Sequence, residues 1–305
     1  MKVTILSYAD YASSGLKIRD AVKKHTDIDI EIFAQKPGFG VTKWRMPPTP
    51  IMTDRKAVQK RVYESDVIHL KGDWPPTPMY MTLQLHDNIV TTVSGSSFRK
   101  QEYGGFGTFK PEQFAIAKVK TSFEPDLLYP EYGNIWTPHP IDSENQPNVW
   151  KYSTRPVLIH TPSNRKTKDT LFLEKVFDKL RDVANCYILQ DKSHKVIMEA
   201  RKEATIFFDQ FLVGFYGNTA IEAMQYGIPT ANWISPMSIE QGFNIKHPVI
   251  TYEKDVNKWV EGILALIKNK DKLQEISNET KKYCDKYHSY RAVARQWSEI
   301  YSSMV

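Results

Sequence analysis

The sequence predicts an α/β protein built from two doubly wound domains, and three observations point there. Short apolar runs alternate with helical patterns in two series, one on each side of a polar stretch near the middle of the chain. Most of these runs are apolar on both faces, as strands are when helices cover both sides of a parallel sheet. At 305 residues the chain is long enough for two such domains, each burying a core of its own.

In the first series, strands are expected over 3–7, 28–33, 67–70 and 89–93, with helices over 15–24 and 56–63. The polar, aperiodic stretch 142–152 reads as the linker, which gives a first domain over 1–147. The second domain, 148–288, opens with a strand over 157–160. It continues with a helix over 170–183, a strand over 186–190, a helix over 194–202, a strand over 204–208 and a helix over 219–226. A further strand restarts directly afterwards, at Gly227-Ile228-Pro229-Thr230-Ala231. The segment 289–305 carries Val293, Trp297, Ile300 and Met304 on one helical face. That stripe needs a surface, either inside the second domain or, by crossing back, on the first.

Composition narrows the class. The chain is 41% hydrophobic and 25% charged, has no low-complexity tract, and contains no apolar run long enough to span a membrane. The opening Met1-Lys2-Val3-Thr4-Ile5-Leu6 reads as a first strand rather than a signal peptide, so no stable membrane insertion is expected. The expected location is the cytoplasm, the host's if the protein is viral. Cys186 and Cys284 lack any C-x-x-C spacing and read as buried thiols, not as a zinc site or disulfide framework. The net charge is +6, split as +1 through residue 148 and +5 beyond, so neither half is a generally basic nucleic-acid domain. One segment, 36–61, stands apart: Lys36, Lys43, Arg45, Arg55, Lys56, Lys60 and Arg61 face the single acid Asp54. A solvated charged loop accounts for it, as does a surface that tracks a phosphate backbone.

In doubly wound sheets ligands sit beyond the carboxyl ends of the strands, so the loops after Ser7, His160 and Phe208 are the places to look. After His160 comes Thr161-Pro162-Ser163-Asn164-Arg165-Lys166-Thr167-Lys168-Asp169, a loop that brings two or three cations to a helix start. Such a loop suits a diphosphate, because helix N-termini present unpaired N–H groups and Arg plus Lys add neutralisation without a metal. The second run, Asp209-Gln210 through Gly214-Phe215-Tyr216-Gly217-Asn218-Thr219 to Glu222, places an acid at a strand end, a Gly-rich turn and a capped helix in succession. Thr219-x-x-Glu222 also matches a capping box, in which the carboxylate would only satisfy a backbone N–H. The string Asp27-Ile28-Asp29 is formally a D-x-D, but it opens a strand where two acids share an exposed face, so metal ligation is not expected. Neither a G-x-x-x-x-G-K-[ST] loop nor a G-x-G-x-x-G fingerprint occurs.

The run His160-x-Pro162-Ser163-Asn164-Arg165-x-x-Lys168, followed by Asp209-Gln210, Gly214-x-Tyr216-Gly217 and Glu222-Ala223-Met224-x-x-Gly227-x-Pro229, resembles the donor domain of retaining GT-B glycosyltransferases. That group includes capsule and lipopolysaccharide enzymes and relatives of glycogen synthase. The resemblance covers about 100 residues, from 157 to 252. It implies two Rossmann-like domains facing across a cleft, a nucleotide-sugar donor (a UDP-sugar first), no metal and no other cofactor. Arg165 and Lys168 would grip the diphosphate and Glu222 the ribose hydroxyls. Ser163, Asn164, Gln190, Asp209, Gln210 and the segment Tyr216, Gly217, Asn218 and Thr219 would complete the donor site, with Ser14 and Gly15 from the first domain. The group commonly has a second glutamate eight residues before the first, where this chain has Gly214. Ser94 and its neighbours stand where many relatives carry a His near the acceptor.

Glycosyl transfer passes through an oxocarbenium-like state while charge builds on the departing diphosphate. Fixed cations aimed there lower the barrier. With retention, a phosphate oxygen takes the acceptor proton; with inversion, Asp73 or Asp10 would be the general base. The acceptor reading leans to hydroxymethylated bases in duplex DNA of a bacteriophage, with Lys43, Trp44, Arg45, Arg55, Lys71, Ser94 and Arg99 as its contacts. The alternatives are a glycan or lipid-linked saccharide acceptor, or a protein that binds nucleotide-sugar or nucleic acid without transfer.

Overall fold

A computed structural model of the protein describes residues 1–36, 50, 52–72, 86–95, 98, 116–129, 133–236, 238, 243 and 245–305. The chain divides into two units, Met1–Pro140 with Ser289–Val305, and Ile141–His288.

In the first unit, strands β1 (Lys2–Ala9), β2 (Asp29–Lys36), β3 (Val67–Lys71), β4 (Ile89–Val93), β5 (Val119–Ser122) and β6 (Ile135–Trp136) form one sheet. Their spatial order is β2-β1-β3-β4-β5-β6, parallel throughout. The first four strands follow the expected apolar runs. β5 and β6 go unannounced because Val119-Lys120-Thr121-Ser122 is short and largely polar and Ile135-Trp136 is only two residues long, so neither shows a period. Helix α1 (Ser14–His25) buries Leu16, Ile18, Ala21 and Val22 against the sheet, and α2 (Arg55–Tyr63) is capped by Asp54 accepting from the Ala57 N–H.

In the second unit, β7 (Val157–His160), β8 (Asn185–Ile188), β9 (Ile206–Phe208) and β10 (Thr230–Ala231) make a parallel sheet in the order β10-β9-β7-β8. Around it lie α3 (Thr170–Leu180), α4 (His194–Lys202), α5 (Asn218–Met224), α6 (Val256–Ile267) and α7 (Lys270–Tyr283). An aromatic cluster of Phe177, Phe208, Phe211 and Trp259 fills the core, with Phe211 and Trp259 edge to face at 4.8 Å. Residues 142–152 have no regular structure, as expected of a linker, yet they are bound to this unit. Val149 N–H donates to the Tyr226 carbonyl and the Trp150 indole N–H to the Thr205 carbonyl, both at 3.0 Å.

The final helix, α8 (Tyr290–Ser302), belongs to the first unit, where it packs along α1. Val293, Trp297, Ile300 and Met304 are all buried. Each fully buried side chain of this size contributes roughly 1.5–3 kcal/mol of transfer free energy, which explains why a 13-residue amphipathic helix holds its place. A polar ladder fixes its azimuth. Tyr301 Oη lies 2.8 Å from His69 Nδ1, His69 Nε2 lies 2.7 Å from Thr92 Oγ1, and that hydroxyl lies 2.7 Å from Thr121 Oγ1. The His69 ring stacks on Trp297 at 4.5 Å.

Burial pushes the His69 imidazole down to about 3, so it is neutral in the folded protein. The unfolded chain binds a proton there near 6.5. Stability from this site is therefore complete above about pH 6.5 and falls between there and pH 3, by about 1.4 kcal/mol per pH unit. Chemical denaturation between pH 7 and 4.5 is expected to show that decline. His69→Gln should lower overall stability and make the decline shallower by close to one proton. An unchanged slope would rule this account out.

Candidate functional site

Strand order reverses between β7 and β9, because β8 lies on one side of β7 and β9 and β10 on the other. Ligands of doubly wound sheets sit at such a switch point. The loops that leave β7 and β9 there are 161–169 and 209–217, the two segments singled out in the sequence. His160, the last residue of β7, joins them. Its Nδ1 donates to the Phe208 carbonyl and its Nε2 accepts from Thr170 Oγ1, each at 2.9 Å. Only this tautomer serves both partners, since a carbonyl can only accept. Burial pushes the ring down to about 4, which keeps it neutral.

Asp209 is the centre of the turn. Its Oδ1 is paired with Lys168 Nζ and accepts from Thr219 Oγ1 at 2.7 Å; its Oδ2 accepts from the Gly217 N–H at 2.9 Å. Burial alone would push this carboxyl up, but the Lys168 charge, with the hydrogen bonds from Lys168, Thr219 and Gly217, outweighs it and holds the group below its usual range. Lys168 also lies 3.3 Å from Thr219 Oγ1. An ammonium has three N–H donors, and the described residues engage two of them. Arg165 is partly exposed and paired with Glu174 on α3. Asn164 Oδ1 accepts from the N–H groups of Lys166 and Thr167 and so shapes the cationic loop; Ser163 beside it is half-buried.

Glu222 is not part of a capping box. Gly217 occupies the N-cap of α5, so Thr219 falls inside the helix and spends its hydroxyl on Asp209. The buried Glu222 carboxylate is paired with Arg201 through Oε2, and His194 Nε2 lies 3.2 Å from Oε1. Gln210 Nε2 donates to the Phe215 carbonyl and braces the turn. The Tyr216 hydroxyl is buried against Tyr283 (2.6 Å) and His288 (3.0 Å), so its side chain is a structural anchor. Gln190 follows β8 and is half-buried, as is Asn218 at the start of α5. Gly214, where the resemblance leads one to look for a second glutamate, has φ +83°. A Cβ there would come within 2.5 Å of Ser235 Cβ, so this backbone excludes an acid at that position.

The first unit corrects several expectations. Asp10 is not available as a general base. Its carboxylate accepts from the N–H groups of Gly15 (2.8 Å) and Leu16 (3.0 Å) and pairs with Lys71 Nζ at 2.9 Å, all buried. Gly15 therefore has no N–H to offer a donor, and the Ser14 hydroxyl is bonded to the Tyr11 carbonyl. Lys71 cannot track a phosphate backbone, because it is 1% exposed and tied to Asp10. Within the basic segment, Arg61 grips both carboxylate oxygens of Asp29, while Arg55 is exposed on α2. Ser94 follows β4 and is half-buried. Lys43, Trp44, Arg45, Asp73 and Arg99 lie outside the described residues.

Arg201 and His194 are the site residues that sequence reasoning missed. Arg201 falls four residues after Ile197, on the buried face of α4, and a cation at an apolar helical position was the signal. Among the described residues no three His, Cys, Asp or Glu side chains converge as metal ligands, and no helix is long and apolar enough to cross a membrane.

Two doubly wound parallel units with a switch-point site in the second define the GT-B fold. Comparison with solved structures agrees. HepE of Anabaena, crystallised with UDP and glucose, is similar with a TM-score of 0.67 at 11% identity, covering 99% of this chain and 100% of that one. Sucrose-phosphate synthase of Thermosynechococcus elongatus has a TM-score of 0.66 at 10% identity, with 99% of each chain covered. The lipopolysaccharide outer core galactosyltransferase WaaB, in its apo form, has a TM-score of 0.62 at 11% identity, with both chains covered in full. No protein-family model matches the chain, and no curated protein matches it in sequence.

The two cations of the loop should differ sharply in their effect on stability. Removing one partner of a buried ion pair costs about 3–5 kcal/mol, whereas an exposed pair contributes at most about 1 kcal/mol. Denaturant titration is expected to show Asp209→Asn and Lys168→Met strongly destabilised and Arg165→Ala nearly unchanged. Equal effects would mean that the Lys168–Asp209 pair does not organise the turn.

Proposed function

We propose that this chain is a glycosyltransferase that moves a sugar from a nucleoside-diphosphate-sugar, a UDP-sugar foremost, to an acceptor hydroxyl. One observation carries the reading: two cations on a single loop, Arg165 and Lys168, stand at the switch point of a GT-B donor-type sheet, with the buried acid Glu222 on the helix that follows the partner loop. HepE, similar over almost the whole chain, has been crystallised with UDP-glucose, which supports the donor class.

The chemistry follows from where charge develops. As the bond from the anomeric carbon to the diphosphate lengthens, the diphosphate gains negative charge and the sugar becomes oxocarbenium-like. Arg165 and Lys168 are already positioned and partly desolvated, so they stabilise that charge without reorganising. They supply the neutralisation that makes a metal dispensable in this reading. Glu222 accepts hydrogen bonds from the ribose hydroxyls. Retention is favoured because Asp10, the described candidate for an inverting base, is committed to Gly15, Leu16 and Lys71. A donor phosphate oxygen then takes the acceptor proton as the hydroxyl attacks from the leaving-group side.

For the acceptor, the reading is a saccharide hydroxyl. WaaB, similar in fold over its full length, is a galactosyltransferase of the lipopolysaccharide outer core. The duplex-DNA reading loses Lys71 to burial and Arg61 to Asp29 and rests on Lys43, Trp44, Arg45, Arg55, Ser94 and Arg99. The reaction is placed in the cytoplasm, where nucleotide-sugars are made.

Calorimetry with UDP-, GDP- and ADP-sugars, followed by a donor-hydrolysis assay, tests the proposal. A UDP-sugar is expected to bind and to be hydrolysed slowly without acceptor. Arg165→Ala and Lys168→Ala should each weaken binding and slow hydrolysis by about tenfold or more, the scale of a charge-assisted hydrogen bond. Binding without turnover for any acceptor would leave a nucleotide-sugar binder. The double change Lys43→Ala with Arg45→Ala should spare donor binding. If hydroxymethylated duplex DNA were the acceptor, the double change would also abolish a salt-sensitive DNA affinity.

A further inference from the structure

Glu222 is gripped from the neighbouring helix α4. Arg201 and His194, both on α4, engage its two oxygens, and Arg201 is the buried one, with its side chain 2% exposed. The same guanidinium reaches a second segment, donating through Nη2 to Thr161 Oγ1 at 3.1 Å. Thr161 opens the loop that carries Arg165 and Lys168. One planar cation therefore spans the gap between the loop after β7 and the helix after β9, and its carbon lies 5.2 Å from the Phe207 ring, which confines it further. Being buried, the Glu222 carboxylate needs a cation beside it, and Arg201 supplies one from a fixed direction.

We propose that Arg201 is the positioning residue of the nucleotide site. It fixes the orientation of Glu222 and sets its spacing from the cationic loop, so that ribose hydroxyls and diphosphate are recognised together. The inference rests on the reading of Glu222 as the ribose acceptor. Arginine is required because two acceptors, Glu222 and Thr161, lie on different sides of the fork. A lysine keeps the charge but presents a point donor that cannot fix both angles.

The test is calorimetry on the full chain with UDP and its 2′-deoxy and 3′-deoxy analogues. Wild-type protein is expected to prefer UDP by about tenfold or more over one analogue, the scale of a hydrogen bond to a charged group. That ratio should collapse to about threefold or less in Glu222→Gln and in Arg201→Lys. Thr161→Val, which removes only the second anchor, should lie between. The ratio is the informative quantity, since a merely structural role weakens UDP and its analogues alike. If Glu222→Gln loses the preference and Arg201→Lys keeps it, the positioning role is overturned while the ribose reading stands. If Arg201→Lys does not fold, a wild-type ratio in Thr161→Val overturns the role. Wild-type protein that binds no nucleoside diphosphate would overturn both readings at once, and equal binding of UDP and both analogues would overturn the ribose reading and this inference with it.

Discussion

The second unit is organised by the pairing of Lys168 with Asp209 beneath the Gly217 turn. Two charges are taken out of water there, and burial of that kind is unfavourable unless every lone pair and proton finds a partner. Asp209 meets the condition with Lys168, the Thr219 hydroxyl and the Gly217 N–H. The pair joins the loop after β7 to the turn after β9, and the Glu222 helix begins from that turn. Asn164 within the first loop and Gln210 within the second shape each one separately, and the pair ties the two together.

The first unit uses the same device for a different end. Asp10, just past β1, accepts from the start of α1 and pairs with Lys71 at the end of β3. There the close approach of helix and strand leaves Gly15 no room for a side chain: a Cβ would lie 2.4 Å from Ile32 Cδ1. The difference lies in what remains to be offered. Asp10 and Lys71 are sealed at 1% exposure each, whereas Lys168 keeps some exposure and has the partly open Arg165 three residues away on the same loop. A strand end bearing an acid and a lysine is therefore not by itself a ligand site. Exposure and neighbouring cations decide it.

Neutral histidines do much of the joining between elements. His160 ties β9 to α3, and His69 ties α8 to β3 and β4, each through one ring nitrogen that donates and one that accepts. A neutral imidazole suits such a place because it satisfies two buried groups without carrying a charge that would need its own partner.

Periodicity and strand-end residues marked the parallel alternation, the cationic loop 161–169, the acid at Asp209 and the apolar stripe of the last helix, because each is a local pattern written within about 15 residues. β5, β6, α6 and α7 escaped, the strands through shortness and the helices because they lie beyond the segment the motifs covered. What only the tertiary structure decided is which charges meet. Asp10 reads as a base and proves to be a cap. Thr219-x-x-Glu222 reads as a capping box and proves to be two residues serving different partners, and Arg201 carries no motif. Of these pairings, Arg201 with Glu222 spans 21 residues and Asp10 with Lys71 spans 61. Such distances are closed by the crossover topology of the sheet, so local sequence supplies the groups and the fold alone assigns their partners.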